Sequence, residues 1–398
     1  MGCNMYPDMR GRVSEAAEKA AGELHVMLSE EALNSFEACN SCGLCLYVCP
    51  TYRATSNPEY SPLRRLYHAW RALRRGERDE RGFESLYSCL LCGLCTYACP
   101  YHLPIWRAVL AARHSYARKG VIPRGLRETV VNALNTGHSF TRDRDRALRW
   151  LEGEQVDGPG KSLYIPSPLE SVRFPEKARL KLNLFELAGV EYTVTGKALE
   201  LGGNPGVDAS LFEVGLDLLL RAYEVMEDLG AEEIIVSECG SDLKISVVAG
   251  LVEKTLGINA SKLRSIHSIL SELVRERTKR PLRLHEDIVY TSCNFCRLTR
   301  NCPITIIRSR QPPDKPPYSS CCGGGGGLTI NMEPWAKKVR RAVAVRRLKS
   351  LRGRRIIVPC IKCYVTLREA SLLARERRRI QLLSEAVYEF LIMEEATS

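Results

Sequence analysis

Two short stretches constrain this chain more than anything else in it. Cys39-Asn-Ser-Cys42-Gly-Leu-Cys45-Leu-Tyr-Val-Cys49-Pro50 returns fifty residues later as Cys89-Leu-Leu-Cys92-Gly-Leu-Cys95-Thr-Tyr-Ala-Cys99-Pro100. A compact loop with a thiol at every third residue can wrap three corners of one inorganic centre, and the fourth corner must come from elsewhere. Gly43 and Gly93 keep the loop free of side-chain bulk where backbone has to approach that centre. The proline after each last cysteine fixes its own φ and sends the chain away.

The spacing C-x2-C-x2-C-x3-C-P is the run of bacterial ferredoxins, and in their two-cluster members the last cysteine of each run serves the other cluster. It predicts one [4Fe-4S] centre on Cys39, Cys42, Cys45 and Cys99, and a second on Cys89, Cys92, Cys95 and Cys49. Zinc is a poor alternative, because two C-x2-C pairs would satisfy it and leave the remaining thiol and the C-P ending of each run without a purpose. Disulfides fit no better. Cysteines three apart in a tight loop pair badly, and seventeen is an odd count in a chain far longer than a small secreted domain.

At 398 residues, 45% hydrophobic and 26% charged, the chain has room for two to four domains of ordinary globular texture. No apolar run reaches the length of a membrane span, and the first residues carry no signal-peptide core, so a reducing interior is expected. The net charge of +12 raises the question of nucleic acid. No helix-turn-helix, zinc-finger or RNA-recognition signature accompanies it, and Arg64, Arg65, Arg71, Arg74 and Arg75 read as a solvated helix face or a docking surface for an acidic partner.

The N-terminal third reads as helical. Ser14 to Ala38 leads into the first cysteine loop. Ser61 and Pro62 open a helix whose Leu63, Leu66, Tyr67, Trp70 and Leu73 form a stripe ending near Gly76. Ile105 to Lys119 follows the second loop, and His102 and His114 read as structural or surface residues.

Gly153 to Lys161 is a Gly/Pro-rich break. Beyond it strands and helices alternate: strands at Leu163–Ile165, Val190–Val194 and Ile234–Val236, helices at Glu176–Ala188 and Phe212–Leu229. The alternation then resumes with strands at Ile288–Thr291 and Arg355–Val358 and helices at Trp335–Leu351 and Tyr364–Glu376. This argues for α/β layers. Leu201-Gly202-Gly203 aligns with Cys321-Cys322-Gly323, Cys239 with Cys360, and Pro168 with Cys293, a period near 120 residues that indicates a duplicated domain.

The second copy carries Cys293, then Cys321-Cys322, then Cys360-Ile-Lys-Cys363, with five glycines from Gly323 to Gly327. Adjacent cysteines crowd a single zinc ion, whereas a multinuclear cluster accepts neighbouring thiolates on different metals. Gly323 and Gly324 let backbone lie against such a group. The spacing C-x27-CCG-x36-C-x2-C resembles the CCG domain of iron-sulfur oxidoreductases. Two ferredoxin motifs followed by two CCG domains is the layout of the double-CCG polypeptide of heterodisulfide reductase. It is also that of the iron-sulfur subunits of glycolate oxidase and anaerobic glycerol-3-phosphate dehydrogenase.

The resemblance implies a further [4Fe-4S] cluster on Cys293, Cys321, Cys322, Cys360 and Cys363, non-cubane if all five ligate. It also implies a flavoprotein dehydrogenase subunit, or a membrane cytochrome b or quinone-reactive subunit, as partner. The first copy departs from the family: it keeps Cys239 alone, with Leu201, Gly202 and Pro168 where thiols belong. One thiolate cannot hold a cluster, and Asp242 as a substitute offers oxygen, which suits harder cations. Cys296 and Cys302 read as buried small hydrophobes, Cys3 and Cys239 as bystanders, and Arg297 and Lys362 as solvated charges or guides for an anion.

The expected fold is thus multidomain and of mixed α+β and α/β class. A helical two-cluster ferredoxin-like domain (1–152) precedes a degenerate CCG-like domain (161–280) and an intact CCG domain (286–398). The expected function is an iron-sulfur oxidoreductase subunit passing electrons between two cubanes and a third, CCG-bound cluster. A heterodisulfide or disulfide reductase acting at the CCG cluster is the alternative. No transmembrane segment of its own and no nucleic-acid partner are expected. The location expected is cytoplasmic, peripheral to the membrane only through a partner.

Overall fold

The computed structural model describes residues 11–277, 282–290, 297, 307–310 and 320–395. It is a mixed helix and sheet protein with helices in the majority. In the N-terminal part, helix Glu15–Glu37 is capped by Ser14, whose side chain accepts from the Ala17 N–H. Helix Pro62–Arg74 is capped by Ser61, with the fixed φ of Pro62 in its first turn. Both pack on helix Ile105–Ala117, which is buried almost throughout.

The stripe expected on Pro62–Arg74 is rotated. Arg65, Leu66, His68, Ala69 and Ala72 are the buried side chains, while Leu63, Tyr67, Trp70 and Leu73 are half-buried. Hydrophobicity misplaces the face here because a buried arginine and histidine lie on it.

The chain leaves this part through the coil at 152–161 and builds two four-stranded parallel sheets. The first holds β1 (Ser162–Ile165), β2 (Tyr192–Thr193), β3 (Glu233–Val236) and β4 (Leu263–Ser265) in the order β2-β1-β3-β4. The second holds β5 (Leu282–Val289), β6 (Ile307–Arg310), β7 (Arg355–Val358) and β8 (Arg379–Leu382) in the order β6-β5-β7-β8. The same order appears twice, with Leu163 beside Ile234 in one sheet and Ile288 beside Ile356 in the other. β3 and β7 are flanked on both sides and are continuous apolar runs, as parallel strands covered on both faces must be. The segment expected as a strand from Val190 pairs only at Tyr192–Thr193.

Helix Ile361–Leu373 begins three residues before the expected start. Cys360 occupies its N-cap, so C-x2-C wraps the first turn of a helix. Cys239 holds the same position before helix Gly240–Ala249. Side chains from both sheets, Tyr164 and Ile235 with Val289 and Ile357, share one core with Leu383 and Val387. Among the described residues, no helix is long and apolar enough to cross a membrane.

Candidate metal centres

The two cysteine runs adopt one backbone shape. Ser41 and Leu91 stand at φ 58° and 49°, Gly43 and Gly93 at 77° and 71°. A left-handed Leu is costly and persists where surroundings enforce it. Each run then enters a five-residue helix, Leu44–Val48 or Leu94–Ala98, and places its last cysteine at the C-cap.

The runs exchange that last cysteine. One hollow of about 330 Å³ is walled by Cys39, Cys42, Cys45 and Cys99, and another of about 350 Å³ by Cys49, Cys89, Cys92 and Cys95. These are the two predicted sets. The thirteen described cysteines are free of disulfides. Burial and the neighbouring thiols Cys49, Cys39 and Cys42 push Cys45 up to about 12, and burial beside Cys92 and Cys89 pushes Cys95 well up. Thiols gathered this way ionise only when a positively charged core enters among them, which is what an iron-sulfur cluster brings. Among the described residues, no three His, Cys, Asp or Glu side chains converge as one metal ion requires. The thiols surround a space instead, which fits a multinuclear core better than zinc.

The sets differ in exposure. Cys42, Leu44, Tyr47 and Tyr101 lie open at the first hollow. At the second, Cys89, Cys92, Leu90 and Leu94 are buried. Arg65 lies beneath the second set and not on the solvated face expected of it. Its guanidinium donates to Cys49 Sγ (3.4 Å), Thr51 Oγ1 (2.7 Å), Ser88 Oγ (3.0 Å) and the Ser85 carbonyl (3.1 Å). Burial opposes its charge, but the Cys89 and Cys49 sulfurs prevail and raise its pKa.

The glycine run is what covers the second set. A Cβ on Gly325 would stand 2.5 Å from the Leu90 carbonyl oxygen, and one on Gly326 2.0 Å from that of Cys89. Only glycine permits this contact. Arg113, wholly buried, binds the parts together by donating to the carbonyls of Leu86, Cys89 (2.7 Å), Asp208 (3.3 Å) and Gly326 (3.1 Å). Arg297 is buried too, donating to the Cys92 carbonyl (2.8 Å) while its own carbonyl accepts from Tyr97 Oη (2.9 Å). It is neither solvated nor placed to guide an anion.

Of the CCG cysteines, Cys321, Cys322, Cys360 and Cys363 are buried in one cluster with Tyr290 and Leu90. Cys363 bonds to Cys322 and Cys360 through its thiol. The Gly324 N–H donates to Cys322 Sγ (3.4 Å). Gly323, at φ 94°, packs under the Arg340 carbonyl. A hydrogen bond with the Cys363 thiol, working against burial, holds Cys360 below its usual value, helped by the N–H groups of Cys363, Gly240 and Lys362. Cys293, Cys296 and Cys302 lie outside the described residues, as does Cys3.

The first copy has closed over its vanished site. Backbone of Gly202 and Gly203 presses on Gly215 and Ser241, leaving no room for a Cβ or a thiolate. Into the remaining polar space comes Lys362, whose Nζ donates to Asn204 Oδ1 (2.8 Å), Asp208 Oδ2 (2.5 Å) and Ser241 Oγ (2.5 Å). Asp208 stays low despite burial because Lys362 stands beside it. Burial lifts Asp242 to about 6 and Glu200 to about 8. Lys362, expected at the surface, is therefore an internal ion-pair partner. Asp242 is buried beside Cys239 and lacks the companions a metal ligand needs. Nothing in the residue order announces Arg65, Arg113 or Asn204. The Lys between the two cysteines of C-x2-C is the one visible sign.

Residues 35–103 match the model of a 4Fe-4S dicluster domain, and residues 309–368 match that of a cysteine-rich domain, CCG. The first match contains all eight cysteines of the two hollows; the second contains Cys321, Cys322, Cys360 and Cys363. No curated protein matches the chain. The two domains indicate an iron-sulfur electron-transfer role in an oxidoreductase setting, and the chain carrying both is a CCG-domain iron-sulfur protein.

Proposed function

We propose that the chain is the iron-sulfur electron-transfer subunit of an oxidoreductase complex, linked to a flavoprotein or a membrane quinone or cytochrome partner. The observation that carries this is the crossing of the runs: each hollow takes three cysteines from one run and the last from the other. On this reading Cys39, Cys42, Cys45 and Cys99 hold one centre and Cys49, Cys89, Cys92 and Cys95 the next. Cys321, Cys322, Cys360 and Cys363, with Cys293, hold a third. One-electron transfer at low potential is the chemistry that [4Fe-4S] centres supply when bound.

The protein's own residues supply the surroundings. Arg65, Leu91 N–H and Gly324 N–H direct hydrogen bonds at Cys49, Cys89 and Cys322. Such bonds and burial tune a centre's potential. The glycine turn excludes water between the second set and the CCG cysteines by backbone contact with Cys89 and Leu90. The first set, open at Cys42, is the one a partner can reach. Duplication of the α/β unit, with one copy relieved of its cluster, accounts for the repeated strand order. It also favours the relay over a disulfide reductase that needs both copies loaded.

Anaerobically purified protein should contain iron and acid-labile sulfide. Cys99→Ser should remove the centre of the first run and leave that of the second, read by paramagnetic resonance of the reduced protein. Zinc without iron would refute the assignment. Thiol added to the oxidised protein should leave the spectrum silent; a new signal would favour the reductase.

A further inference from the structure

The turns that carry Cys360 and Cys239 meet face to face. The Ile361 N–H donates to the Glu238 carbonyl (2.8 Å), and the Gly240 N–H donates to Cys360. Lys362, between Cys360 and Cys363 in the chain, leaves its own copy here and ends among the positions where the other copy lacks a cluster. Its three acceptors all come from that copy: Asn204 and Asp208 from the turn after Gly202-Gly203, and Ser241 from the turn after Cys239. Lys362 is 4% exposed and Asp208 wholly buried. The pair is shielded from solvent screening, so each charge acts on its neighbours far more strongly than a surface charge would.

We infer that Lys362 and Asp208 set the reduction potential of the centre held by the CCG cysteines, the first copy serving as the counter-charge for the second. The inference rests on the cluster assignment proposed above. Reducing that centre adds one electron and one negative charge, with no bond made or broken. A nearby cation favours this and a nearby anion opposes it. In the intact pair the two effects partly cancel. Lys362, the group whose backbone N–H also donates to Cys360, is the nearer in the chain to the ligands.

The test is a potentiometric titration with dithionite and mediators, followed by low-temperature paramagnetic resonance, on the whole protein. Asp208→Asn conserves shape and leaves the cation unopposed, so the third centre's midpoint should move up. Lys362→Met leaves a buried anion, and the midpoint should move down. The double variant should return towards wild type, and the two ferredoxin-type centres should not move. An unchanged midpoint in Asp208→Asn with all three signals present overturns the inference, and so do shifts of the same sign in both single variants. Should Lys362→Met fail to fold, as removal of one partner of a buried pair can cause, Asp208→Asn still decides. Absence of a third signal from wild-type protein would instead remove the cluster assignment, a separate result.

Discussion

Gly326→Ala is the sharpest probe of the contact between the CCG turn and the second cysteine loop. Gly326 sits at φ 60°, and an added Cβ would stand 2.0 Å from the Cys89 carbonyl oxygen and 2.9 Å from the Leu90 carbonyl carbon. Ordinary contact begins near 3.4 Å, so the turn and the loop must part by about 1.4 Å. Left-handed backbone costs an L-residue about 1–2 kcal/mol, and overfilling a packed contact costs a further 1–3 kcal/mol. The sum, about 2–5 kcal/mol, lowers the folded-to-unfolded ratio by roughly 30-fold to several thousand-fold. Gly230→Ala separates the parts, because Gly230 has φ 68° with nothing within 4 Å of its added Cβ. Anaerobic chemical denaturation of both variants should place the midpoint of Gly326→Ala well below that of Gly230→Ala. Equal midpoints would show that the glycine turn is not pressed on the cysteine loop and does not exclude water there.

Glu200→Gln tests the buried acid near the vacated site. Glu200 accepts from the Ser139 N–H (2.6 Å) and hydroxyl (2.5 Å), and burial raises its pKa to about 8. The folded state then holds a proton that the unfolded chain has released, so stability falls as pH rises from about 4.5 towards 8. The variant should abolish that slope and be the more stable protein at pH 8, by up to a few kcal/mol; parallel stability curves from pH 5 to 8 would contradict this. Arg65→Met removes four hydrogen bonds at one stroke and leaves their buried acceptors unmet. A loss of about 3 kcal/mol or more is expected from denaturation, with a lowered potential for the centre on Cys49, Cys89, Cys92 and Cys95. In metal-free protein at pH 8, iodoacetamide should label exposed Cys42 first and Cys45, buried with its pKa near 12, far more slowly; peptide mass spectrometry reads the order.

The cysteine runs are legible because their chemistry is written in spacing. The crossing of Cys49 and Cys99 follows from the same rule and is where the structure puts them. The sheets are half legible: β1, β3 and β7 announce themselves as apolar runs, whereas β4, with Arg264, and β8, with Arg379 and Gln381, look like loop edges. Buried cations are illegible. Arg65, Arg113 and Lys362 contradict the ordinary rule that charges face water, and only the carbonyls, sulfurs and carboxylates brought to them by distant parts of the chain justify their places. Residue order places the start of helix Ile361–Leu373 three residues late because Ile361 and Cys363 look like part of a metal loop, when the loop and the helix's first turn are one object.

The exchange of the last cysteines also interlocks the polypeptide. Each hollow draws walls from both sides of the span between Pro50 and Ser88, so that span is buckled at two places. A protease cut at the exposed Gly76 would leave two fragments clasped through both buckles, and neither centre could be assembled before the other's run had been synthesised. Maturation of the pair is thereby all-or-nothing.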